Sequence, residues 1–600
     1  MIRKLLIANR GEIACRILRT ANSMGIECAV VYSEADSHAL HVQMADIAFC
    51  IGPPAATESY LDAGKIIAVA REWNADAIHP GYGFLSENAQ FAALCEDNGI
   101  LFVGPDSQVI AAMGSKARAK ELMTAAGVPL LPGYHGQDQA PEHLQQQAQL
   151  LGYPLLIKAV AGGGGRGLRV VHSEGEFIPA LHAVQREAKS AFADDRVLLE
   201  KYLPSARHIE VQIVADQQGN YLHLFERDCS MQRRHQKLIE EAPAPGLTDK
   251  IREKLYGYAI KAARELAYTG VGTVEFLYQQ EECYFLEMNT RLQVEHGVTE
   301  AVCGIDLVEW QLLIAQGESL PRQQNEIKCT GWAIEARINA ESPLQDFLPT
   351  TGSIRTLHWP ALPSLRIDAG FRSGDRIGPH YDSLLAKLIV HAETRTMAIR
   401  QLQLALQTTH MHGPDMNLAF LATLLGDADF VSGNLSTQLL HEKMPAWQNE
   451  TRWQLMQQAQ REPEGNGVQA GFGALQSWRS VVQNHYSRRF HYLGREIPGH
   501  QWTAGDTTTR PHEQTLKAPL PGRIIAVSVE AGACVSKGQT LLIIEAMKME
   551  HTLVAPTDCV VATVLCQEND TVQPEQILIE FVPSPKTETK SNAKTKAGKS

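Results

Sequence analysis

Between Thr273 and Glu295 polar and apolar side chains alternate with a period of two. Val274, Phe276 and Tyr278 alternate with Thr273, Glu275 and Leu277; after a polar break, Tyr284, Leu286 and Met288 alternate with Cys283, Phe285, Glu287 and Asn289. Successive strand residues point to opposite faces, so this pattern predicts an antiparallel hairpin. Matching its apolar faces pairs Glu275 with Glu287 and leaves a three-residue loop, 280–282. Two carboxylates held side by side repel unless a cation joins them, and an all-oxygen ligand set suits Mg2+ or Mn2+. The same parity runs on through Asn289, Arg291, Gln293 and Glu295, which predicts one extended face presenting acid, amide, cation, amide and acid in a row.

The wider pattern divides the chain. A length of 600 residues implies several domains. Within 1–114, residues 5–8, 28–32 and 77–79 read as strands, 12–24 as a helix and 80–84 as a glycine-rich loop, an order that predicts a parallel sheet. Residues 115–330 carry the glycine-rich and carboxylate-rich strands, with a lid over about 132–203, and 331–446 continue the same unit without a break in periodicity. Composition then shifts. Residues 447–513, rich in Gln, Trp, Arg and Gly, read as a short docking segment ending in a linker over 504–514; 514–583 are strand-rich; and the Lys-rich tail 584–600 is predicted to be disordered.

The module 514–583 repeats itself. Ala518-Pro519 recurs as Ala555-Pro556, a shift of 37, and at that shift Gly532 meets Asn569, Gln539 meets Gln576 and Leu541 meets Leu578. Two similar halves predict a flattened β-barrel with a pseudo-twofold axis. Between them stands Glu545-Ala546-Met547-Lys548-Met549-Glu550-His551, a lysine flanked by methionines where a hairpin tip is most exposed. Gly522, Gly532 and Gly538 are replaced in the second half by Cys559, Asn569 and Glu575; of these Asn tolerates positive φ best.

A second glycine run, Ala161-Gly162-Gly163-Gly164-Gly165-Arg166-Gly167, lies between Leu155-Leu156-Ile157-Lys158 and Leu168-Arg169-Val170-Val171. A strand follows it, not a helix, so the spacing of Gly162, Gly164 and Gly167 is no dinucleotide fingerprint. It predicts a hairpin tip whose backbone N–H groups, at Gly163, Gly164 and Gly165, close over phosphates. The run from Arg227 to Lys237 reads as a basic loop in which His235 and Lys237 are candidates for phosphate or bicarbonate contact.

Charge and cysteine content narrow the function classes. A net charge of −12 argues against nucleic acid or an anionic membrane as partner. No apolar run reaches the roughly 18 residues a membrane helix needs. The 11 cysteines, never in a CxxC pair, fit a reducing compartment, and the first eight residues read as a strand, so a cytoplasmic location is expected.

Taken together these motifs resemble biotin carboxylase, an ATP-grasp α/β enzyme. The resemblance runs from Asn9-Arg10-Gly11-Glu12-Ile13 through 79–88, the glycine loop, 227–245 and 287–300 to Tyr381-Asp382-Ser383, about residues 1–445, and Ala546-Met547-Lys548-Met549 matches the attachment signature of biotinyl carrier domains. The whole is similar to the α-subunit of a biotin-dependent acyl-CoA carboxylase of the 3-methylcrotonyl- or geranyl-CoA type. The resemblance implies biotin on Lys548, placed there by a biotin protein ligase. It implies ATP phosphates on Lys116 and Lys158, adenine against Glu200, Lys201 and Leu203, His208 and Gln232 near the ribose or phosphates, and metal on Glu275, Glu287 and Asn289. It further implies bicarbonate on Lys237, Arg291, Gln293 and Val294, Glu295 as the base, Arg337 stabilising the biotin enolate, and Tyr82 flanking biotin. No room remains for a carboxyltransferase, so a separate β-subunit and a hetero-oligomer are expected. Acetyl-CoA, propionyl-CoA or pyruvate as the final acceptor, or a catalytically dead biotin carrier, are the alternatives. The chain departs from the family at Gly297, where proline is common, at Trp332, where histidine is usual, and in its docking segment, which is much shorter than in typical 3-methylcrotonyl-type subunits.

Overall fold

The structure, a computed structural model, describes residues 1–160, 167–192, 194–234, 236–448, 490–492, 495–497, 515–520, 522–546, 549–573 and 576–583. The chain forms two compact units; the first contains almost all described residues up to Gln448, the second the module from Thr515 onward. The glycines Gly163, Gly164 and Gly165, His235, Lys548, the linker, most of the docking segment and the tail lie outside the described residues.

The first unit opens with β1 (Lys4–Ile7), α1 (Gly11–Ser23), β2 (Glu27–Tyr32), β3 (Ile47–Cys50), β4 (Ala77–His79) and β5 (Leu101–Phe102). They form the expected parallel sheet, in the order β3-β2-β1-β4-β5. Leu5, Leu6 and Ile7 are fully buried, which is why so short a strand suffices. The loop after β4 depends on Gly81 at φ +64, where a Cβ would meet Asn9 Nδ2 at 2.9 Å and Ile13 Cγ1 at 3.1 Å. Asn9 fixes that loop by donating to the Pro80 and Tyr82 carbonyls at 2.7 and 2.8 Å.

A small antiparallel sheet follows, built from β6 (Gly133–Tyr134), β7 (Leu155–Ala159), β8 (Leu168–Val171) and β9 (Val197–Lys201) in the order β6-β9-β7-β8. Helices α2 (Pro141–Leu151) and α3 (Glu174–Phe192) cover it through Leu144, Phe177 and Leu181. The strands that flank the glycine run pair with each other: Lys158 is opposite Leu168, and Ala159 N donates to Gly167 O at 2.7 Å.

The floor of the unit is one eight-stranded sheet, in the order β14-β13-β10-β11-β12-β15-β17-β16. Its strands are β10 (Arg207–Ala215), β11 (Tyr221–Arg233), β12 (Gln236–Ala242), β13 (Gly270–Gln279), β14 (Glu282–Asn289), β15 (Trp332–Asn339), β16 (Leu365–Ala369) and β17 (Leu384–Ala392). Helix α4 (His296–Cys303) packs on its central strands. The segment from Arg227 to Lys237 is therefore a β11–β12 hairpin within the sheet and not a solvated loop: Arg233 pairs with Gln236, and Arg227 is fully buried. Among the described residues of the unit the last helix, Leu439–Gln448, runs two residues into the stretch assigned to docking, with Trp447 edge-on to Phe420 at 6.0 Å.

In the second unit the 37-residue repeat is the architecture. Its strands are β18 (Thr515–Lys517), β19 (Gly522–Val527), β20 (Cys534–Val535), β21 (Thr540–Ala546), β22 (Met549–Val554), β23 (Cys559–Val564), β24 (Thr571–Val572) and β25 (Ile577–Pro583). Adding 37 carries β19 onto β23, β20 onto β24 and β21 onto β25 without an offset. The two four-stranded sheets, β18-β25-β23-β20 and β22-β21-β19-β24, are each other's repeats, and Ala518 N to Gln576 O and Ala555 N to Gln539 O are matching bonds at 2.8 and 2.9 Å. Gly532 (φ +91) and Asn569 (φ +74) share the left-handed position. Cys559 opens β23 without positive φ, so the absence of glycine there needs no strained turn.

All 11 cysteines are free, and no helix among the described residues is long and apolar enough to cross a membrane.

Candidate active site

The paired carboxylates are where the alternation puts them, by a different route. Glu275 faces Glu287 across β13–β14, but the connection is a two-residue turn, Gln280-Glu281, both at positive φ. A register shift between Glu275 and Phe276 then restores the pairing. The bulge shows on the apolar face, where Cys283 and Phe285 are buried in place of the expected Tyr284 and Leu286, while Met288 is buried as expected. The expected extended face is also corrected. The strand ends at Asn289, the chain bends, and Glu295 occupies the N-cap position of α4. Bending brings Gln293 and Glu295 back over Glu275, which a straight strand would have carried away.

The residues converge on Lys237. Its ammonium donates to Glu210 Oε2 at 2.6 Å, Glu275 Oε1 at 3.0 Å and Glu295 Oε1 at 2.6 Å. Arg337 takes the other oxygen of Glu295, with Nη2 to Oε2 at 2.9 Å, and its Nε donates to Glu240 at 2.5 Å. Behind them Arg227 binds Glu210 at 2.5 Å, Gln212 at 2.7 Å and Gln293 at 2.7 Å. Gln293 and Asn289 donate to Glu275 Oε1 at 2.8 and 2.9 Å, and His208 Nε2 lies 2.8 Å from Glu275 Oε2.

Charge accounting explains how so many ionised groups share a buried space. Burial alone would raise the Glu295 carboxyl; the charges of Lys237, Arg337 and Arg227 outweigh it and hold it well below the ordinary range. Glu275 is held down against burial in the same way by Lys237 and His208. Burial opposes protonation of His208, but the charge of Glu275 outweighs it and raises the imidazole. Burial pushes Glu240 up to about 7 in spite of Arg337. Glu287 differs. Among the described residues it has no ion-pair or hydrogen-bond partner, and surrounding protein and the charge of Glu275 raise its carboxyl although its side chain opens to solvent. An oxygen pair with surplus negative charge, flanked by the Asn289 amide, fits a divalent cation.

The other predicted residues fall into two groups. Lys116 and Lys158 lie close together, and burial followed by the charge of Lys158 lowers the Lys116 ammonium. Both Lys158 and Lys120 pair with buried Glu200, whose carboxyl burial would raise but whose two lysines hold at about 2. Two neighbouring ammonium groups suit a polyphosphate. By contrast, the Lys201 ammonium is committed to the Gly152 and Tyr153 carbonyls at 3.1 and 3.3 Å, so its side chain offers a nucleotide no free charge. Leu203 is half-buried, and Gln232 pairs with Lys237 across β11–β12. Arg291 sits at the rim, with Nε to Glu87 at 2.8 Å and Nη2 to Asn289 at 3.0 Å. Val294 offers its carbonyl to Lys387 at 2.6 Å, and the Tyr82 hydroxyl donates to Glu12.

Sequence reasoning missed Glu210, Glu240, Glu12 and Lys387 and misread Arg227. Glu210 had a signal: His208, Glu210 and Gln212 alternate with Ile209, Val211 and Ile213. Gly297 and Trp332 are explained by packing. Gly297 lies in the first turn of α4, not at a strand end, and a Cβ there would meet Ile389 Cδ1 at 2.4 Å; Trp332 Nε1 donates to Glu241 at 2.7 Å.

Comparison with known proteins agrees with this geometry. Family models match in series: biotin carboxylase N-terminal domain over 1–110, the ATP-binding domain of carbamoyl-phosphate synthase L chain over 115–323, biotin carboxylase C-terminal domain over 335–442 and biotin-requiring enzyme over 514–581. The methylcrotonoyl-CoA carboxylase α-subunit of Dictyostelium discoideum, a mitochondrial protein, is 40% identical over 671 positions, covering 97% of this chain and 96% of the relative. The chain belongs to the biotin-dependent acyl-CoA carboxylase α-subunits. The mouse member is 52% identical over 441 residues, 73% of this chain and 62% of its own length. The solved biotin carboxylase domain of Hydrogenobacter thermophilus 2-oxoglutarate carboxylase, bound to MgADP, ADP and bicarbonate, superposes with TM-score 0.73 at 45% identity over 75% of this chain and 99% of that one. This α-subunit is thus an ATP-dependent ligase that carboxylates biotin, with biotin, ATP and Mg2+ as its cofactors.

Proposed function

We propose that this α-subunit uses ATP and bicarbonate to carboxylate biotin carried on Lys548, attached by a biotin protein ligase, and passes the carboxyl group to a separate carboxyltransferase β-subunit in a hetero-oligomer. The observation that carries the site assignment is Glu295 gripped between Lys237 and Arg337. Lys116 and Lys158 hold the ATP phosphates under the lid formed by Gly163, Gly164 and Gly165. Glu200 and Leu203, with the backbone of Lys201, line the adenine pocket; His208 and Gln232 serve the ribose or phosphates, and His235 is a candidate for phosphate or bicarbonate contact. Glu275, Glu287 and Asn289 hold Mg2+, which when bound neutralises charge on the transferring phosphate.

Bicarbonate is received by Lys237, Arg291, Gln293 and Val294. Its negative charge competes with Glu295 for Lys237, and that competition relieves the depression of the Glu295 carboxyl, raising its basicity when its proton acceptor role is needed. Glu295 takes the bicarbonate proton, a bicarbonate oxygen attacks the γ-phosphorus, and ADP leaves. The carboxyphosphate formed breaks down to CO2 and phosphate; phosphate removes the biotin N1 proton, Arg337 stabilises the enolate-like biotin, and N1 attacks CO2 beside Tyr82.

In this reading 1–114, 115–330 and 331–446 are the three domains of the carboxylase, 447–513 docks the partner, 514–583 is the carrier, and the chain works in the cytoplasm. Likeness over 96% of a methylcrotonoyl-CoA carboxylase subunit supports 3-methylcrotonyl-CoA as the final acceptor. A second reading has support: the same carboxylase body, at 45% identity, belongs to an enzyme of 2-oxoglutarate, so the body does not select the acceptor, and acetyl-CoA, propionyl-CoA or pyruvate fits it equally. Co-purification of the β-subunit followed by an acceptor panel decides between them. Bicarbonate-dependent ATP hydrolysis stimulated by free biotin is the test of the catalytic assignment; its absence in the purified holo-protein would leave only a carrier.

A further inference from the structure

Lys387 is one of the largest fully buried side chains in the protein, and none of the roles above uses it. It stands on β17 directly opposite Arg337 on β15, so two cations sit side by side on one ladder. They grip consecutive residues. Arg337 Nη2 holds the Glu295 carboxylate at 2.9 Å, and Lys387 Nζ donates to the Val294 carbonyl at 2.6 Å. Lys387 Nζ also lies 3.4 Å from Glu12 Oε1 and 3.9 Å from Asp368 Oδ2, and Glu12 accepts the Tyr82 hydroxyl.

We propose that Lys387 is a positioning residue for the bicarbonate site: by fixing the Val294–Glu295 peptide it aims the base, and through Glu12 it ties that turn to the Tyr82 loop. The inference rests on the assignment of Val294 and Glu295 to bicarbonate. A carbonyl just ahead of a helix N-cap has no partner within its own helix, and a buried carbonyl left unpaired rotates toward whatever donor it can find. Here the peptide in question bears the base, so the donor that satisfies it also sets the direction of the carboxylate. The link to Glu12 adds a second function. Tyr82 and Val294 belong to segments more than 200 residues apart in sequence, and both reach the same ammonium, Tyr82 through one carboxylate.

Steady-state kinetics of free-biotin carboxylation tests this. Lys387→Met keeps the stem of the side chain and removes the donor; it is expected to raise KM for bicarbonate on the order of tenfold, the size of one charge-assisted hydrogen bond, with KM for ATP unchanged. A general loss of structure moves both constants together. Because the substitution strips Glu12 and Asp368 of a buried cation, the double variant Lys387→Met/Glu12→Gln, in which a carboxylate is removed with the ammonium, is measured beside it. The double variant is expected to show the same bicarbonate effect and a raised KM for free biotin, since a neutral amide holds the Tyr82 hydroxyl less tightly than the carboxylate does. An unchanged bicarbonate KM in a folded variant overturns the proposal, as does a parallel rise of both KM values. Failure of both variants to fold overturns it too, because Lys387 is then a cation of the core and not a positioning group. Glu295→Gln separates this result from the site assignment: normal turnover there removes the base, whereas an inactive Glu295→Gln beside a Lys387→Met with normal bicarbonate KM removes Lys387 alone.

Discussion

The β13–β14 hairpin and the β21–β22 hairpin, to which the proposed function assigns the two halves of the chemistry, are built on opposite principles. In the first, the working groups stand on the strands: Glu275 and Glu287 face each other, and Lys237, His208 and Asn289 close on Glu275 within 3.0 Å. In the second, Ala546 pairs with Met549, and the strands supply only a place to hang the two residues between, Lys548 among them. The first unit buries acids and bases around its site. Among the described residues, the second buries one polar side chain, His551, and otherwise a core of Val, Leu, Ile, Ala, Cys and Phe. A site that must stabilise moving charge needs preorganised ions, whereas an arm that must be handed from one enzyme to another needs only a rigid, plain base.

The largest effect that sharpens this contrast is chemical. Glu295→Gln removes the base while keeping a side chain of the same size between Lys237 and Arg337. Biotin carboxylation should fall by roughly 10²–10⁴-fold, the usual contribution of a general base, while streptavidin still labels the carrier. Lys548→Ala gives the converse, a chain that streptavidin no longer detects. Persistent labelling of Lys548→Ala would place the biotin elsewhere and break the comparison.

The next effect concerns pH. Glu240 ionises near 7 in the folded protein, above the ordinary carboxylate value of 4.5, because it is buried. A group that binds its proton more tightly when folded stabilises the fold at low pH. That stabilisation is complete below the unfolded value and declines as pH rises from 4.5 through 7. The loss is on the order of 3 kcal/mol, and Glu240→Gln, which fixes the neutral form, should remove it. Denaturant titrations of the two proteins between pH 4.5 and 8 should therefore diverge for the first unit and coincide for the carrier. Parallel curves for the first unit would mean that Arg337 keeps Glu240 ionised throughout.

How far these two regions were legible in the sequence follows from the same contrast. The carrier repeat was readable to the residue, because each half needs the same apolar positions and turns, and nothing else competes for them. The Glu275–Glu287 pair was readable from alternation, but the bulge was not. A two-residue turn with both residues at positive φ usually declares itself through Asn or Gly, and here it is made by Gln280 at φ +52 and Glu281 at φ +65. Without that signal the sequence favours a longer loop, and the apolar residues of β14 are assigned to the wrong face. The buried ion network was least legible. Arg227 stands in a run of polar residues that reads as solvated, and only the packing of β10, α4 and the bend before α4 reveals that Glu210, Gln212, Thr299 and Gln293 take up its donors.

Packing against the base turn gives a smaller and more local test. In Gly297→Ala the new Cβ would stand 2.4 Å from Ile389 Cδ1 and 3.1 Å from Glu335 Oε2, both buried. Overpacking of this kind costs about 1–3 kcal/mol. Ile389→Val removes the atom in the way, so the double variant should recover most of the loss in chemical denaturation. If Gly297→Ala alone is neutral, α4 has room to shift, and the base turn is less tightly determined than the network around Glu295 implies.

The smallest effect belongs to the carrier and asks whether its two halves are equivalent in energy as well as in shape. Gly532 and Asn569 occupy the same left-handed position, at φ +91 and +74. Gly532→Ala puts a Cβ into that conformation and should destabilise the carrier by about 1–2 kcal/mol, although no atom lies within 4 Å of the new methyl. Any loss therefore reports backbone strain and not a clash. Asn569→Gly relieves what strain the asparagine bears but makes the unfolded chain more flexible, and these opposing terms should leave a change below about 0.5 kcal/mol. Calorimetry of the carrier transition in the full chain reads both. Neither variant alters an ionised group, so neither should change the pH response of the first unit. A Gly532→Ala loss with a near-silent Asn569→Gly would mean that the second half has kept the turn geometry while exchanging the residue that made it easy, so that the two halves of the carrier are alike in shape but not in the energy of this turn.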